Sequence, residues 1–165
     1  MDAVRLVLRA QSGDRDAFDA LLRDVAPPLH RYIARLVDDV ALADDVTQDV
    51  LIAIVRKITW LNDPSLFRAW AYRIASRAAF RALRKRRAVI FEPIEEATAF
   101  IESTPEPWLE ERVARLSPAS RAVITLHYFE EMPLADVADI LDLSLGTVKS
   151  RLAYGLTQLR KETAS

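Results

Sequence analysis

Eight basic side chains, Arg68, Arg73, Arg77, Arg81, Arg84, Lys85, Arg86 and Arg87, fall between residues 67 and 88 with no acid among them. Trp60, Phe67, Trp70, Tyr72 and Phe80 flank or interleave them. Guanidinium groups neutralise phosphates, and aromatic faces stack on unpaired bases. The stretch therefore suits a surface that grips a nucleic acid and holds a melted strand. A structural reading competes: Leu66, Trp70, Ile74 and Ala78 can line the inward face of a helix, with Phe67 free for either role. A second group, Ser144, Thr147, Lys149, Ser150 and Arg151, lies in PLADVADILDLSLGTVKSR, residues 133–151. Val137, Ala138 and Leu141 are apolar at helical spacing, Leu143 fills a turn, and Val148 and Leu152 return to a core four residues apart. Ser144 is placed to cap the second helix. This is the pattern of a helix-turn-helix, whose second helix lies in the DNA major groove. An ordinary helical hairpin with a solvated face has the same spacing. Where the turn often carries Gly, this chain has Asp142, which tolerates the left-handed conformation better than most residues.

Other chemistry has little foothold. His30 and His127 are the only histidines and lie in different halves. There is no cysteine, no glycine-rich phosphate loop and no His/Cys cluster at metal-ligand spacing. Asp44 and Asp45 are neighbours, and neighbours on a helix point apart. The expectation is a protein without a catalytic site, metal or cofactor.

The elements that must position these residues are helices. The chain has 165 residues, 51% of them apolar and three of them glycine, so an all-α fold is expected. The longest strongly apolar run, residues 50–55, is far too short to span a membrane. MDAVRLVLRAQSGDRD has neither a basic start followed by an apolar core nor a small-residue cleavage site. A soluble, cytoplasmic protein without membrane insertion is expected.

Net charge is −1, yet the charges are segregated. Residues 89–111 hold seven acids and no base, directly after the basic block. They read as an acidic linker, proline-bearing at Pro93, Pro105 and Pro107. Before it, helices are expected near 3–11, from 14 with a break or restart at Pro27-Pro28, over 42–58, and from Asp63-Pro64 onward. The 42–58 helix should bury Val46, Val50, Ile54 and Ile58, with Leu51 and Val55 beside them, and carry Asp44, Asp45 and Asp49 in its first turn. After the linker, Ser117-Pro118 should cap a helix with Val123, Ile124 and Leu126 inside. The organisation expected is two small helical domains, 1–88 and 108–165, joined by a linker at 89–107.

DDVTQDVLIAIVRKI followed by FRAWAYRIASRAAFRALRKRR resembles region 2 of the extracytoplasmic-function (ECF) sigma factors, the smallest branch of the sigma-70 family of bacterial RNA polymerase. LSPASRAVITLHYFEEMPLADVADILDLSLGTVKSRLAYGLTQLRK resembles region 4. The resemblance covers nearly the whole chain, and the two motifs in this order are far more specific than either alone. It implies an alternative sigma factor that binds core polymerase and directs promoter-specific initiation. Asp45, Gln48, Asp49 and Ile52 would contact the clamp helices of the largest polymerase subunit. Asn62, Asp63, Phe67, Arg68, Arg73, Arg77 and Arg81 would read and open the −10 element, with a flipped base in a pocket. Ser144, Thr147, Lys149, Ser150 and Arg151 would read the −35 element, and the segment from Leu126 to Phe129 would meet the polymerase flap. An anti-sigma partner is implied. Shortly after YRIA the family commonly shows Asn and, four residues on, Asp. Arg77 and Arg81 stand there, which bears on the −10 preference and implies stronger phosphate binding. A freestanding helix-turn-helix regulator with a partner-binding N-terminal half is the competing assignment. A nucleic-acid enzyme is disfavoured by the missing catalytic cluster.

Overall fold

A computed structural model describes residues 2–89 and 107–163, and every regular element among them is helical. The N-terminal half holds α1 (Ala3–Gln11), α2 (Arg15–Val37), α3 (Val40–Lys57) and α4 (Phe67–Val89). The C-terminal half holds α5 (Pro107–Ala114), α6 (Pro118–Ile124), α7 (Leu134–Leu141) and α8 (Leu145–Thr163). Helix starts follow local chemistry. Asp2, Asp14, Asp39 and Ser117 each accept from a backbone N–H of the first turn they precede.

Three expectations change. α2 runs unbroken through Pro27 and Pro28. An interior proline loses a backbone bond and crowds the carbonyl four residues earlier, at a cost of about 3 kcal/mol. Burial on both sides of the pair offsets this, with Leu21 and Val25 before it and Leu29, Tyr32, Ile33 and Leu36 after it. α3 begins at Val40 on the Asp39 cap, so Asp44 and Asp45 lie beyond the first turn, which holds no acid. Its buried face is Val46, Val50 and Ile54 as expected, continued by Ile58 just beyond the helix, while Val55 is 44% exposed.

α4 is rotated by one residue from the expected face. Phe67, Ala71, Ala75 and Ala79 are buried, with Tyr72 and Ser76 beside them. Trp70, Ile74 and Ala78 are half-buried, and Leu66 is 55% exposed. Three alanines at four-residue spacing let α4 approach α2 and α3 closely, an advantage over bulkier apolar side chains at the crossing. The crossing is pinned by Tyr32, whose ring meets Tyr72 edge-on at 5.3 Å and whose hydroxyl donates to Ser76 Oγ at 2.7 Å. Ser76 in turn donates to the Tyr72 carbonyl.

The two halves pack on one another. One buried cluster runs from Leu6 and Val7 through α2, α3 and α4 into Ala122, Val123, Leu126, Met132, Val137, Ile140 and Val148. A smaller cluster, Val113, Leu116 and Ile124, lies within the C-terminal half. The expected linker, 89–107, lies outside the described residues except at its two ends.

Candidate nucleic-acid and docking surfaces

The helix-turn-helix is formed by α7 and α8. Asp142 ends α7 in the left-handed conformation, φ 54° and ψ 44°. Ser144 Oγ accepts from the Thr147 N–H at 3.1 Å and bonds the Thr147 hydroxyl at 2.8 Å, which caps α8. Val148 is fully buried, and this anchors the helix so that Lys149 and Ser150 are exposed and Thr147 and Arg151 half-exposed. All five expected −35 residues therefore lie on the cap and first two turns of one helix. Leu145 and Tyr154, 41% and 59% exposed, add apolar area to α8 that the polar cluster alone did not point to.

The basic residues of α4 divide into two groups. Arg68 donates to the Glu130 carbonyl at 2.8 Å and approaches its carboxylate at 3.5 Å, with its guanidinium over the Tyr72 ring. Tyr72 donates its hydroxyl to the same carboxylate at 2.5 Å. Arg73 donates to Asp142 Oδ1, and Arg77 donates to Asp142 Oδ2 through Nε and Nη2 at 3.2 and 2.9 Å. The hydrogen bond from Arg77, with that from Arg73, holds the Asp142 carboxyl below the usual carboxylate range. Farther along, Arg81 and Arg84 border a groove of about 240 Å³ between α4 and α7, together with Ser76, Phe80, Ile140 and Leu141. Arg86 reaches Asp39 at 3.5 Å.

The connection before α4 is tethered by Gln11, whose side-chain amide donates to the carbonyls of Ile58 and Leu61 at 2.8 Å each. This leaves Asn62 and Asp63 exposed. Asp63 accepts from the Ser65 hydroxyl at 2.6 Å and its backbone N–H at 2.9 Å, which holds its carboxyl low. Trp60, 72% exposed, and Leu66 flank the loop. Phe67 departs from expectation: it is 6% exposed, in the core, with its ring 6.0 Å from that of Trp70. It sits on the alanine face of α4, so its ring is not presented to a base. The open aromatic surface beside the loop belongs to Trp60.

On α3, Asp45, Gln48, Asp49 and Ile52 are all exposed and lie at i, i+3, i+4 and i+7, one continuous stripe. Val55 extends it by a turn. The segment expected at a flap is only partly available. Leu126 is fully buried, and Phe129 lies under the Arg35 guanidinium at 4.3 Å. Tyr128 is 53% exposed. His30 is paired with Asp44 at 2.7 Å, and the His127 ring donates to the Met132 carbonyl at 2.8 Å, so each serves a local bond. Among the described residues no group of three His, Cys, Asp or Glu could hold a metal ion, and no helix is long and apolar enough to cross a membrane.

One functional-looking residue was invisible in the sequence. Arg121, 7% exposed on α6, donates to the carbonyls of Arg35 and Leu36 at 3.0 and 3.1 Å and to those of Ala114 and Leu116 at 2.5 and 2.9 Å. It ties the end of α2 to the end of α5. Burial lowers its pKa from the ordinary arginine value.

Comparison with known proteins decides what these surfaces belong to. Residues 21–89 match the model of sigma-70 region 2, and residues 113–161 that of sigma-70 region 4. The RNA polymerase sigma-H factor of Pseudomonas aeruginosa is 30% identical over 90% of this chain and 86% of its own. The ECF sigma factor SigM of Mycobacterium tuberculosis is 30% identical over 91% and 79%. The chain belongs to the ECF branch of the sigma-70 family. Its fold matches the solved structure of CnrH in complex with the cytosolic domain of CnrY, with a TM-score of 0.73, 23% identity and coverage of 98% of this chain and 97% of that one. It also matches RpoE in complex with the anti-sigma factor NepR from Bartonella quintana, with a TM-score of 0.72, 24% identity and coverage of 87% and 94%. As a sigma factor the chain directs transcription initiation, and the freestanding-regulator assignment is not favoured. In this sigma factor the contacts of Arg68, Tyr72, Arg73 and Arg77 with Glu130 and Asp142 join region 2 to region 4.

Proposed function

We propose that the chain is a cytoplasmic promoter-specificity subunit, without a catalytic site of its own, that joins core RNA polymerase to promoter DNA. The domains divide as 1–88, 89–107 and 108–165. The stripe Asp45, Gln48, Asp49 and Ile52 takes the polymerase clamp helices, a charged and amide surface with an apolar end suited to a basic partner. Asn62, Asp63, Arg68, Arg73, Arg77 and Arg81 hold the −10 region, the arginines by phosphate contact. Trp60 takes the stacking role that burial denies Phe67. Ser144, Thr147, Lys149, Ser150 and Arg151 read the −35 element from the major groove. Tyr128 and its neighbours meet the flap. The relatives solved with anti-sigma partners support a protein partner of that kind here.

The observation that carries this proposal is the pairing of two open faces, the α3 stripe and the start of α8, in one chain with both sigma regions in order. The test is transcription in vitro by purified core polymerase on a pool of bacterial genomic fragments, with and without the protein, sequencing RNA 5′ ends. New starts with shared −35 and −10 sequences are expected, lost in Lys149→Ala/Arg151→Ala. Ile52→Glu should abolish co-elution with core polymerase while leaving the helical content intact. No new starts, together with sequence-selective binding of the free protein to duplex DNA, would instead make it a freestanding regulator.

A further inference from the structure

Asp142 sits at the tip of the helix-turn-helix, yet its carboxylate is spent on region 2. Each oxygen meets a different arginine, Oδ1 taking Arg73 and Oδ2 taking Nε and Nη2 of Arg77. Two guanidinium groups converging on one oxyanion is the arrangement that holds a phosphate. Arg73 Nε is buried without an acceptor, so the carboxylate does not satisfy every donor of the two arginines. The position is also odd for its own turn. The left-handed end of α7 is a site where Gly is the undemanding choice, and Asp adds a charge that the turn does not need. The contact is shallow, with the Arg77 and Asp142 side chains 57% and 47% exposed, so water and salt weaken it and a polyanion can compete for it. Glu130 holds Arg68 in the same sense one turn earlier.

We propose that Asp142 is an internal stand-in for a DNA phosphate: in the free chain it occupies Arg73 and Arg77, and region 2 takes DNA only as region 4 withdraws it. The inference rests on the reading of these arginines as phosphate contacts. The closed form lowers the apparent DNA affinity of the free protein by the fraction of molecules that are open.

The test is fluorescence anisotropy of a labelled oligothymidine strand titrated with the full-length chain, without polymerase. Asp142→Asn and Asp142→Gly both suit the left-handed backbone, and Gly also removes the residual acceptor that Asn keeps. Both should bind at least about threefold tighter than the parent. Asp139→Asn, which removes the same charge from the exposed side of α7, should leave affinity within about 1.5-fold. The Asp142→Gly gain should vanish in an Arg73→Ala/Arg77→Ala background, since the pair then has no donors to release. Equal gains in Asp139→Asn and Asp142→Asn, or a gain that persists without the arginines, would overturn the stand-in. If the Asp142 variants bind like the parent while Arg73→Ala/Arg77→Ala binds more weakly, the stand-in fails and the phosphate reading survives. If neither set changes affinity, the phosphate reading itself falls.

Discussion

Arg121 shows how one side chain can join two parts of a molecule. Its guanidinium donates to four carbonyls, those of Arg35 and Leu36 in the closing turn of α2, of Ala114 at the end of α5 and of Leu116 just beyond it. Arg121→Ala would strand those acceptors, and a loss of about 3 kcal/mol is expected in chemical denaturation. Arg121→Lys, with three donors on a single nitrogen in place of a planar fork, should recover only part of it. Asp142 makes a prediction in pH. Arg77 and Arg73 hold its folded pKa below the unfolded value of about 3.9. Its contribution is therefore fully present above that value and is lost as pH falls through the lower, folded one. The stability difference between the parent and Asp142→Asn should be constant above about pH 5 and shrink as pH falls below the unfolded value through the lower, folded one, measured by urea denaturation across acidic pH.

At the scale of the element, α2 and α4 carry opposite lessons. α2 tolerates two interior prolines because its ends are packed into the core. Pro27 is itself exposed, so its removal uncovers little apolar surface. Pro27→Ala should raise stability by about 1–3 kcal/mol, seen as a higher melting temperature with unchanged helical content; a decrease would mean that the proline shapes the helix in a way its neighbours require. α4 buries alanines and exposes arginines. Helical spacing identifies sets of residues on one side of a helix, but two overlapping sets, 66/70/74/78 and 67/71/75/79, were both available. Bulk favoured the first. Close packing against α2 and α3 selected the second, and it took Phe67 inward with it.

At the scale of the whole molecule, regions 2 and 4 share an apolar cluster as well as ion pairs. The exposed pairs contribute little each, whereas Leu126, Val137 and Ile140 are fully or almost fully buried. The free chain should accordingly unfold in one calorimetric transition. Leu126→Ala should cost about 2–5 kcal/mol and move the unfolding of both regions together. Two separate transitions would mean that the regions do not stabilise one another. The closed arrangement leaves the α3 stripe and the polar start of α8 accessible while engaging Arg68, Arg73 and Arg77. Of the two proposed DNA surfaces, the −10 face is thus the one held back.

Much was legible in the sequence because it depends on neighbours in the chain. Capping by Ser117 and Ser144, the Asp63-capped turn at Pro64 that leads into α4, the α3 face and the left-handed Asp142 all follow from interactions over a few residues. The two sigma regions followed from ordered motifs of that same local kind. Tertiary structure alone decided which face of α4 turned inward, that Phe67 was unavailable, that Arg121 was buried, and that Arg73 and Arg77 met Asp142. Those contacts join residues as many as 86 apart in sequence. Periodicity shows which side chains lie together on a helix; what that face will meet depends on the packing of the others.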